Sequence, residues 1–258
     1  MFHKAFSKVN LVLKIFKKDI DHKKHKVDAV TMIYKKIYDK IKINKSTNFS
    51  VIYLNQAKQK INIENCSITR TINWLKKTFN QINLNYKITV IKNIPIGSGL
   101  GGESSDAGYV LYYILKKNRI VLNQIQLKSL AIDVGSDIPF FYKRYIIAHV
   151  SNYGDVVTPI KIPQVFIDVY LTNINCSTQK VFYALKKKKK YESHVNTKEL
   201  YEKLKDGQFD NNLIYNDLQQ YVFENYSKIL DDYRKLNRNN TNNIIVNGAG
   251  SSLLILKF

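Results

Sequence analysis

The sequence predicts an α+β protein of two domains, and three observations lead to this class. Segments that alternate apolar and polar residues are interspersed with segments of helical periodicity along the whole chain of 258 residues. No internal repeat is visible. Near residues 159–163 the pattern changes, so we expect an N-terminal domain at 1–160 and a C-terminal domain at 161–258.

The elements before residue 93 are predicted to be strands with one helix among them. Residues 7–16 alternate, which predicts a half-buried strand with Lys8 and Asn10 together on its polar face. A charged turn at 20–28 and a segment of mixed character follow. The remaining elements are a strand at 50–54, a helix whose apolar residues run from Ile68 to Phe79 with Ser67 as N-cap, and a strand at 86–92.

The middle of the chain contains a glycine-rich loop and two helices. The loop carries glycines at 97, 99, 101 and 102 and leads into a helix from about Ser104 to Lys117. A second helix is predicted to end with Gly135 as its cap. Asp137 comes next, before an Ile-Pro pair that favours extended backbone.

The C-terminal domain is predicted to contain both strands and helices. In order, these are a strand at 164–171, a helix at 176–190, a helix at about 212–236, and two strands around a small-residue turn at 246–252. The lysines at 186–190 are interpreted as the solvated end of their helix, and a dedicated polyanion site there is the less favoured alternative.

Composition limits the classes of function. The formal net charge is +21 at pH 7, which suits nucleic acid or phosphorylated small molecules as partners. The lysines are spread along the chain, which favours a general compositional bias over a nucleic-acid site. Cys66 and Cys176 lack metal-ligand spacing, and no apolar run approaches the roughly 20 residues that span a bilayer. We therefore expect a soluble cytoplasmic protein whose charge steers phosphorylated substrates toward it.

The glycine-rich loop is the first candidate site. Glycines allow positive φ and close backbone approach, so several N–H groups can point into one concavity, and the following helix N-terminus adds unsatisfied donors. Ser104 and Ser105 can cap the helix or contact phosphate or metal. The loop lacks the Lys-Ser/Thr ending of a Walker loop and the spacing of a dinucleotide fingerprint. A plain flexible loop is the alternative, but the helix directly after it favours anion binding.

Three further pieces each allow two interpretations. Asp137 could act chemically or simply terminate a helix. Lys8 and Asn10 could line a site or face solvent. The turn at 246–252 could let another element approach closely or be only a tight connection.

Together and in this order, the four pieces resemble the GHMP kinase superfamily. They read SKVNLVL at 7–13, PIGSGLGGESSDA at 95–107, GSDIPFF at 135–141 and GAGSS at 248–252. The second and third motifs in combination resemble the branch whose substrate is a small cytidyl-diphosphate compound. The resemblance implies the two-domain GHMP kinase fold, with an N-terminal α/β domain like one in a ribosomal protein and a ferredoxin-like C-terminal domain.

The resemblance also implies an activity, namely ATP-dependent phosphorylation of an alcohol in isoprenoid precursor biosynthesis, with Mg²⁺ as cofactor. Asp137 would accept the proton of the substrate hydroxyl, Lys8 would lie beside it, and Asn10 would position the substrate. Ser104 would lie near Mg²⁺. The ATP site would consist of Pro95, Gly97, Ser98, Gly99, Leu100, Gly101, Gly102, Ser104 and Ser105.

The cytosine of the substrate would lie against three residues by the same resemblance: His25, the aromatic Phe182 and the nearby Thr178. Two residues depart from the family pattern, because Lys24 replaces an aromatic residue and Glu103 stands where a glycine is usual. A carboxylate at 103 that faced the phosphates would repel them. The chain ends soon after its last motif, so we expect a shortened C-terminal domain.

Two alternatives to this function stay open. One is another GHMP kinase, acting on homoserine or mevalonate, and the other is a non-catalytic paralogue that binds nucleotide or nucleic acid. The presence of Lys8, Asn10 and Asp137 together favours catalysis over its loss. A monomer and a homodimer are both compatible with the sequence.

Overall fold

The computed structural model describes residues 1–18, 24–161, 165–188, 214–238 and 243–257, and also residues 197, 199, 202, 203 and 206. The strands are β1 (His3–Ile15), β2 (Val27–Lys45), β3 (Ser50–Leu54), β4 (Lys60–Ile61), β5 (Tyr86–Ile91), β6 (Ile147–Asn152), β7 (Val156–Pro159), β8 (Phe166–Tyr170), β9 (Tyr215–Asn216), β10 (Asn243–Val246) and β11 (Leu253–Lys257). The helices are α1 (Ser67–Thr78), α2 (Gly102–Lys117), α3 (Gln124–Asp133), α4 (Ile138–Lys143), α5 (Thr178–Lys188), α6 (Gln219–Asn225) and α7 (Ser227–Leu236).

These strands form two sheets. The larger sheet has the order β4-β3-β5-β2-β1-β9, with β6 joined to β2 and β7 joined to β6. Its pairs are antiparallel except for β3 with β5 and β1 with β9. The smaller sheet is antiparallel, with the order β10-β11-β8. The prediction of an α+β fold is confirmed, and the boundary between residues 160 and 161 stays a prediction.

The main core lies between the larger sheet and α1, α2 and α3. Ile72, Leu111 and Leu130 represent the three helices in this core, and Ile88 represents β5. The core therefore fixes α2, and with it the loop that precedes it, on the sheet.

Within the described residues, no helix combines the length and the apolar character that crossing a membrane requires.

Strand β1 is buried on both faces, so the prediction of a half-buried strand is wrong. Val9 and Leu11 form a second core with Ile245 of the smaller sheet. Lys8 is only 4% exposed and Asn10 only 6% exposed. The covering residues come from the far end of the chain, and local alternation carries no information about them.

Two segments form elements that the sequence did not predict. The mixed segment after the charged turn is the single long strand β2, which pairs with β1, β5 and β6 along its length. The helix predicted at 212–236 is two helices, α6 and α7, with β9 before them. They break at Tyr226, where φ is −141° and ψ is 77°, and its hydroxyl accepts a hydrogen bond from the Ser177 N–H at 2.8 Å. This bond ties the break to the start of α5.

Parts of several predicted segments lie outside the described residues. They are 19–23 of the charged turn, 162–164 where the pattern changes, 189–190 of the lysine run, 212–213 of the predicted long helix, and residue 258 of the last strand.

Two predicted helix ends differ by one residue from those observed. The N-cap of α1 is Cys66, whose Sγ accepts from the Thr69 N–H at 3.5 Å, and Ser67 is the first helical residue. At the end of α3, Gly135 lies one residue beyond the C-cap and donates its N–H to the Leu130 carbonyl at 3.1 Å.

Candidate functional site

The glycine-rich loop joins β5 to α2 and presents bare backbone at the helix start. Gly101 is the N-cap of α2 with φ at 72°, a left-handed conformation that glycine adopts without strain. Ser98 and Leu100 are buried, so their side chains point into the protein. The N–H groups of Gly101 and Gly102 donate to no acceptor in the described part of the chain. This arrangement of free donors at a helix N-terminus is suited to an anion.

The small-residue turn between β10 and β11 packs directly against this loop. A Cβ atom at Gly250 would lie only 1.8 Å from the Gly99 nitrogen, so the two backbones touch. The N–H groups of Ser251 and Ser252 donate to the carbonyls of Gly97 and Ser98, each at 3.1 Å. The interpretation of this turn as a place of close approach is correct in geometry, and the turn braces the loop from the second sheet.

Lys8 and Asp137 meet beside the loop. The Lys8 Nζ lies 3.7 Å from Asp137 Oδ2, and the Lys8 N–H donates to the Leu100 carbonyl at 2.9 Å. The Lys8 side chain is 5% exposed and that of Asp137 is 46% exposed. The pair thus combines a buried ammonium with a carboxylate that solvent or a ligand can reach.

Asp137 occupies the N-cap position of α4, although its side chain makes no capping hydrogen bond. The expectation of extended backbone at the Ile-Pro pair is wrong, because Pro139 sits in the first turn of α4, where a helix tolerates the missing N–H. The start of α4 therefore orients the Asp137 carboxylate toward Lys8, and this carboxylate does not cap the helix.

Asn10 is held from two sides. Its N–H donates to Asn247 Oδ1 at 3.0 Å, and its own Oδ1 accepts from the Thr31 hydroxyl at 3.1 Å. Asn247 also donates from Nδ2 to the carbonyls of Lys8 and Gly99, at 3.3 and 3.2 Å. Asn247 thus links β1, the glycine-rich loop and the small-residue turn. It lies within the segment 246–252, but nothing in the sequence distinguished it from its neighbours there.

The two serines of the first turn of α2 differ in what their hydroxyls do. The Ser105 hydroxyl donates to the Phe6 carbonyl at 2.6 Å and so fastens α2 to β1. The Ser104 hydroxyl makes no hydrogen bond to any described residue and lies near Gly135. Of the pair, Ser104 has the oxygen available for a ligand.

No group of three or more His, Cys, Asp or Glu side chains that could hold a metal occurs within the described ranges.

Glu103 faces α1. Its Oε2 accepts from the Ser67 hydroxyl at 3.1 Å, and the same hydroxyl accepts from Arg70 Nη2 at 2.8 Å. The glutamate thus lies in a chain of hydrogen bonds that joins the first turns of α1 and α2. Its carboxylate is engaged on the side of the loop that faces α1.

A buried ionic cluster lies beneath the loop, and sequence reasoning missed it. Lys92 contacts both Asp39 and Asp106, the second at 2.8 Å, and Asp106 Oδ1 has no hydrogen-bond partner in the described structure. Burial raises the pKa of Asp106 despite the opposing pull of Lys92. Burial lowers the pKa of Lys92, but the two carboxylates outweigh it and raise that pKa overall. The only sequence signal was the acidic residue inside the glycine-loop motif.

The residues assigned to cytosine by resemblance are only partly brought together. The rings of His25 and Phe182 lie with centroids 5.5 Å apart and an interplanar angle of 33°, and His25 Nδ1 is 2.9 Å from the Phe16 carbonyl oxygen. Thr178 is exposed at the first position of α5. The Lys24 Nζ donates to the Ala131 carbonyl at 2.6 Å.

The fold and this site define a kinase of the GHMP class, and the comparisons with known proteins agree. The family model for the GHMP kinases N terminal domain matches residues 67–144, which include α1, the glycine-rich loop, α2, α3 and α4. A 4-diphosphocytidyl-2-C-methyl-D-erythritol kinase of Ureaplasma parvum is 33% identical over 98% of this chain and 94% of the relative. One of Thermodesulfovibrio yellowstonii is 30% identical over 97% and 87%. The chain belongs to the 4-diphosphocytidyl-2-C-methyl-D-erythritol kinase family.

Solved structures support the fold. A crystal structure of 4-(cytidine 5'-diphospho)-2C-methyl-D-erythritol kinase superposes with a TM-score of 0.74 at 20% identity, covering 99% of this chain and 90% of that one. A homoserine kinase from Cytophaga hutchinsonii superposes with a TM-score of 0.69 at 14% identity, covering 99% and 84%. At these identities the likeness shows the GHMP kinase fold and does not decide between substrates.

Proposed function

We propose that this protein is an ATP-dependent kinase that phosphorylates the 2-hydroxyl of 4-diphosphocytidyl-2-C-methyl-D-erythritol and releases ADP, in the non-mevalonate route to isoprenoid precursors. The observation that carries the proposal is the approach of Lys8 Nζ to Asp137 Oδ2, at 3.7 Å, beside a loop with free backbone donors. The names of the similar relatives supply the substrate.

Asp137 is the proposed base for the substrate hydroxyl. Its carboxylate is 46% exposed, so an alcohol can reach it, while the adjacent Lys8 ammonium is buried and held in place. A Cβ atom at Gly248 would lie 3.5 Å from Lys8 Nζ, which puts the ammonium between Asp137 and the small-residue turn. In that position Lys8 can offset negative charge on the transferred phosphoryl group. Asn10 is the proposed positioning residue for the acceptor.

The ATP phosphates are proposed to lie on the loop from Pro95 to Gly102 and on the first turn of α2. The N–H groups of Gly101 and Gly102, which find no acceptor among the described residues, support this placement. The Ser104 hydroxyl, which has no hydrogen-bond partner in the described ranges, fits a magnesium ion, because Mg²⁺ prefers oxygen ligands and keeps most of its coordination sphere for water and phosphate. When bound, Mg²⁺ would neutralise phosphate charge. The Ser105 side chain would act indirectly, by holding α2.

The cytosine is proposed to stack on the His25–Phe182 pair near Thr178. The two rings already lie within the usual range for aromatic contact, so the base would lie on an outer face of the pair or separate the rings. Lys24 provides no aromatic face here. We further propose that the protein acts in the cytoplasm, with folded units at 1–160 and 161–258.

A coupled ADP-release assay tests the proposal. The assay compares the cytidyl substrate with its cytosine-free analogue, and with homoserine and mevalonate. We expect turnover with the cytidyl substrate and a large loss of kcat/KM when the cytosine is removed. Equal turnover of homoserine or mevalonate would contradict the proposed substrate. Salt-sensitive nucleic-acid binding without any ATP turnover would contradict the kinase assignment itself.

A further inference from the structure

Arg70 is a cation close to the candidate site, and the described residues do not fill its hydrogen-bonding capacity. It lies on α1, and its Nη2 donates to the Ser67 hydroxyl at 2.8 Å. Its Nε is buried and has no hydrogen-bond partner among the described residues. A buried donor without a partner costs free energy, so the guanidinium is arranged for an acceptor beyond those in the described part of the chain.

Lys24 brings a second positive charge to the same place. Its Nζ donates to the Ala131 carbonyl at 2.6 Å, near the end of α3. Burial and then the charge of Arg70 lower the pKa of Lys24 to about 8, against the opposing pull of Asp137 and Asp133. The two cations are therefore close enough to repel each other, and both are partly removed from water.

The position of this pair relates it to phosphoryl transfer. On one side, Arg70 is linked through the Ser67 hydroxyl to Glu103. Glu103 lies in the first turn of α2, next to the glycine-rich loop where the ATP phosphates are proposed to bind. On the other side, Lys24 is within electrostatic reach of Asp137, the proposed base. An anion placed between the glycine-rich loop and the substrate hydroxyl at Asp137 would accept a hydrogen bond from the Arg70 Nε and relieve the repulsion between the two cations.

We propose that Arg70 and Lys24 form a cationic pair that binds the γ-phosphate of ATP between the glycine-rich loop and Asp137. The inference rests on the proposed function for the identity of the nucleotide. In this arrangement Glu103 is a positioning residue, because its hydrogen bond from the Ser67 hydroxyl helps to hold the Arg70 guanidinium in place. The glutamate then lies behind the cation as seen from the phosphate.

Calorimetric binding of ATP and ADP in the absence of the second substrate tests the pair directly. Arg70→Met and Lys24→Met are each expected to weaken ATP binding by about tenfold or more, the usual scale for a charge-assisted hydrogen bond, and to leave ADP binding unchanged. Lys77→Met, an exposed position on the same helix, is the matched control. Unchanged ATP-to-ADP affinity ratios in both variants would overturn the proposal.

Proton uptake gives a second readout that a purely structural role would not produce. Burial holds the pKa of Lys24 at about 8, so its amine is partly neutral in mildly alkaline solution, and a bound phosphate raises that pKa. ATP binding at mildly alkaline pH, measured in buffers of different ionisation enthalpy, should therefore take up a fraction of a proton. ADP should take up much less, and Lys24→Met should abolish the difference. Equal uptake in Lys24→Met would overturn the role of this lysine.

These outcomes separate the inference from the proposed function. If the wild-type protein fails to turn over the cytidyl substrate but Arg70→Met still loses the preference for ATP over ADP, the substrate assignment fails and the cationic pair stands. If Arg70→Met and Lys24→Met change only the KM of the cytidyl substrate, the pair binds that substrate's diphosphate and the assignment to the γ-phosphate is overturned.

Discussion

Substitution of Gly250 by alanine tests the contact between the two sheets at the glycine-rich loop. The new Cβ would lie 1.8 Å from the Gly99 nitrogen and 2.1 Å from the Ser98 carbonyl carbon, and both are backbone atoms that no rotamer change can move. Ordinary non-bonded contacts begin at about 3.5 Å, so the small-residue turn has to withdraw from the loop by more than about 1.5 Å.

That displacement breaks three hydrogen bonds between the turn and the loop. They are the bonds from the N–H groups of Ser251 and Ser252 to the carbonyls of Gly97 and Ser98, each at 3.1 Å, and the bond from the Ser252 hydroxyl to Ser98 at 2.6 Å. At about 1 kcal/mol each, the loss is about 3 kcal/mol of the free energy of unfolding. For a chain of this size the melting temperature falls by about 6–12 °C.

Thermal unfolding monitored by circular dichroism, together with calorimetric ATP binding, measures this effect. Gly248→Ala is the matched control in the same turn, because its Cβ would meet atoms no closer than 3.5 Å and only its φ of 59° is unfavourable. That strain costs about 1–2 kcal/mol, so the control should melt above Gly250→Ala. A Gly250→Ala protein with the melting temperature and ATP affinity of the wild type would refute the close contact.

Three further substitutions test the site and its support. Asp137→Asn should lower kcat by about 100-fold or more while ATP binding survives, as expected for a lost base, and near-normal turnover in the ADP-release assay would contradict that role. Lys92→Met leaves Asp39 and Asp106 buried without their cation, so thermal unfolding should show a loss of about 3–5 kcal/mol. A change below 1 kcal/mol would mean that the cluster is not buried as described. Glu103→Gly should leave ADP affinity unchanged and weaken ATP affinity at most a few-fold, because the carboxylate faces α1, whereas a tenfold gain in ATP affinity would place that carboxylate against the phosphates.

The elements that the sequence predicted well are those whose signals are local. The strands at 50–54 and 86–92 match β3 and β5, and the segment 246–252 holds the last residue of β10 and the turn that leads to β11. The helix after the glycines was expected from about Ser104 and begins two residues earlier, because Gly101 itself is the N-cap. Periodicity, turn residues and capping chemistry act within a few residues of one another, so one sequence suffices to see them.

The elements that the sequence did not predict depend on distant partners. Tyr226 lies inside the single long helix predicted at about 212–236, but its hydroxyl accepts a hydrogen bond from the Ser177 N–H and the helix breaks there. The strand β2 is long because three other strands pair along it. The local alternation of apolar and polar residues does not indicate this pairing. The site shows the same division, since its motifs were visible, whereas the long-range contacts of Asn247, Arg70 and the Lys92 cluster were not.

By itself the sequence determined that a glycine-rich backbone precedes a helix N-terminus, that an aspartate follows a later helix, and that a small-residue turn lies near the chain's end. Only the tertiary structure decided how these pieces meet. It buries Lys8 beside Asp137, closes the turn onto the loop, and directs Glu103 toward α1. The physical reason is separation along the chain, because Asn10 and Asn247 are 237 residues apart and hydrogen-bond only once both sheets have formed.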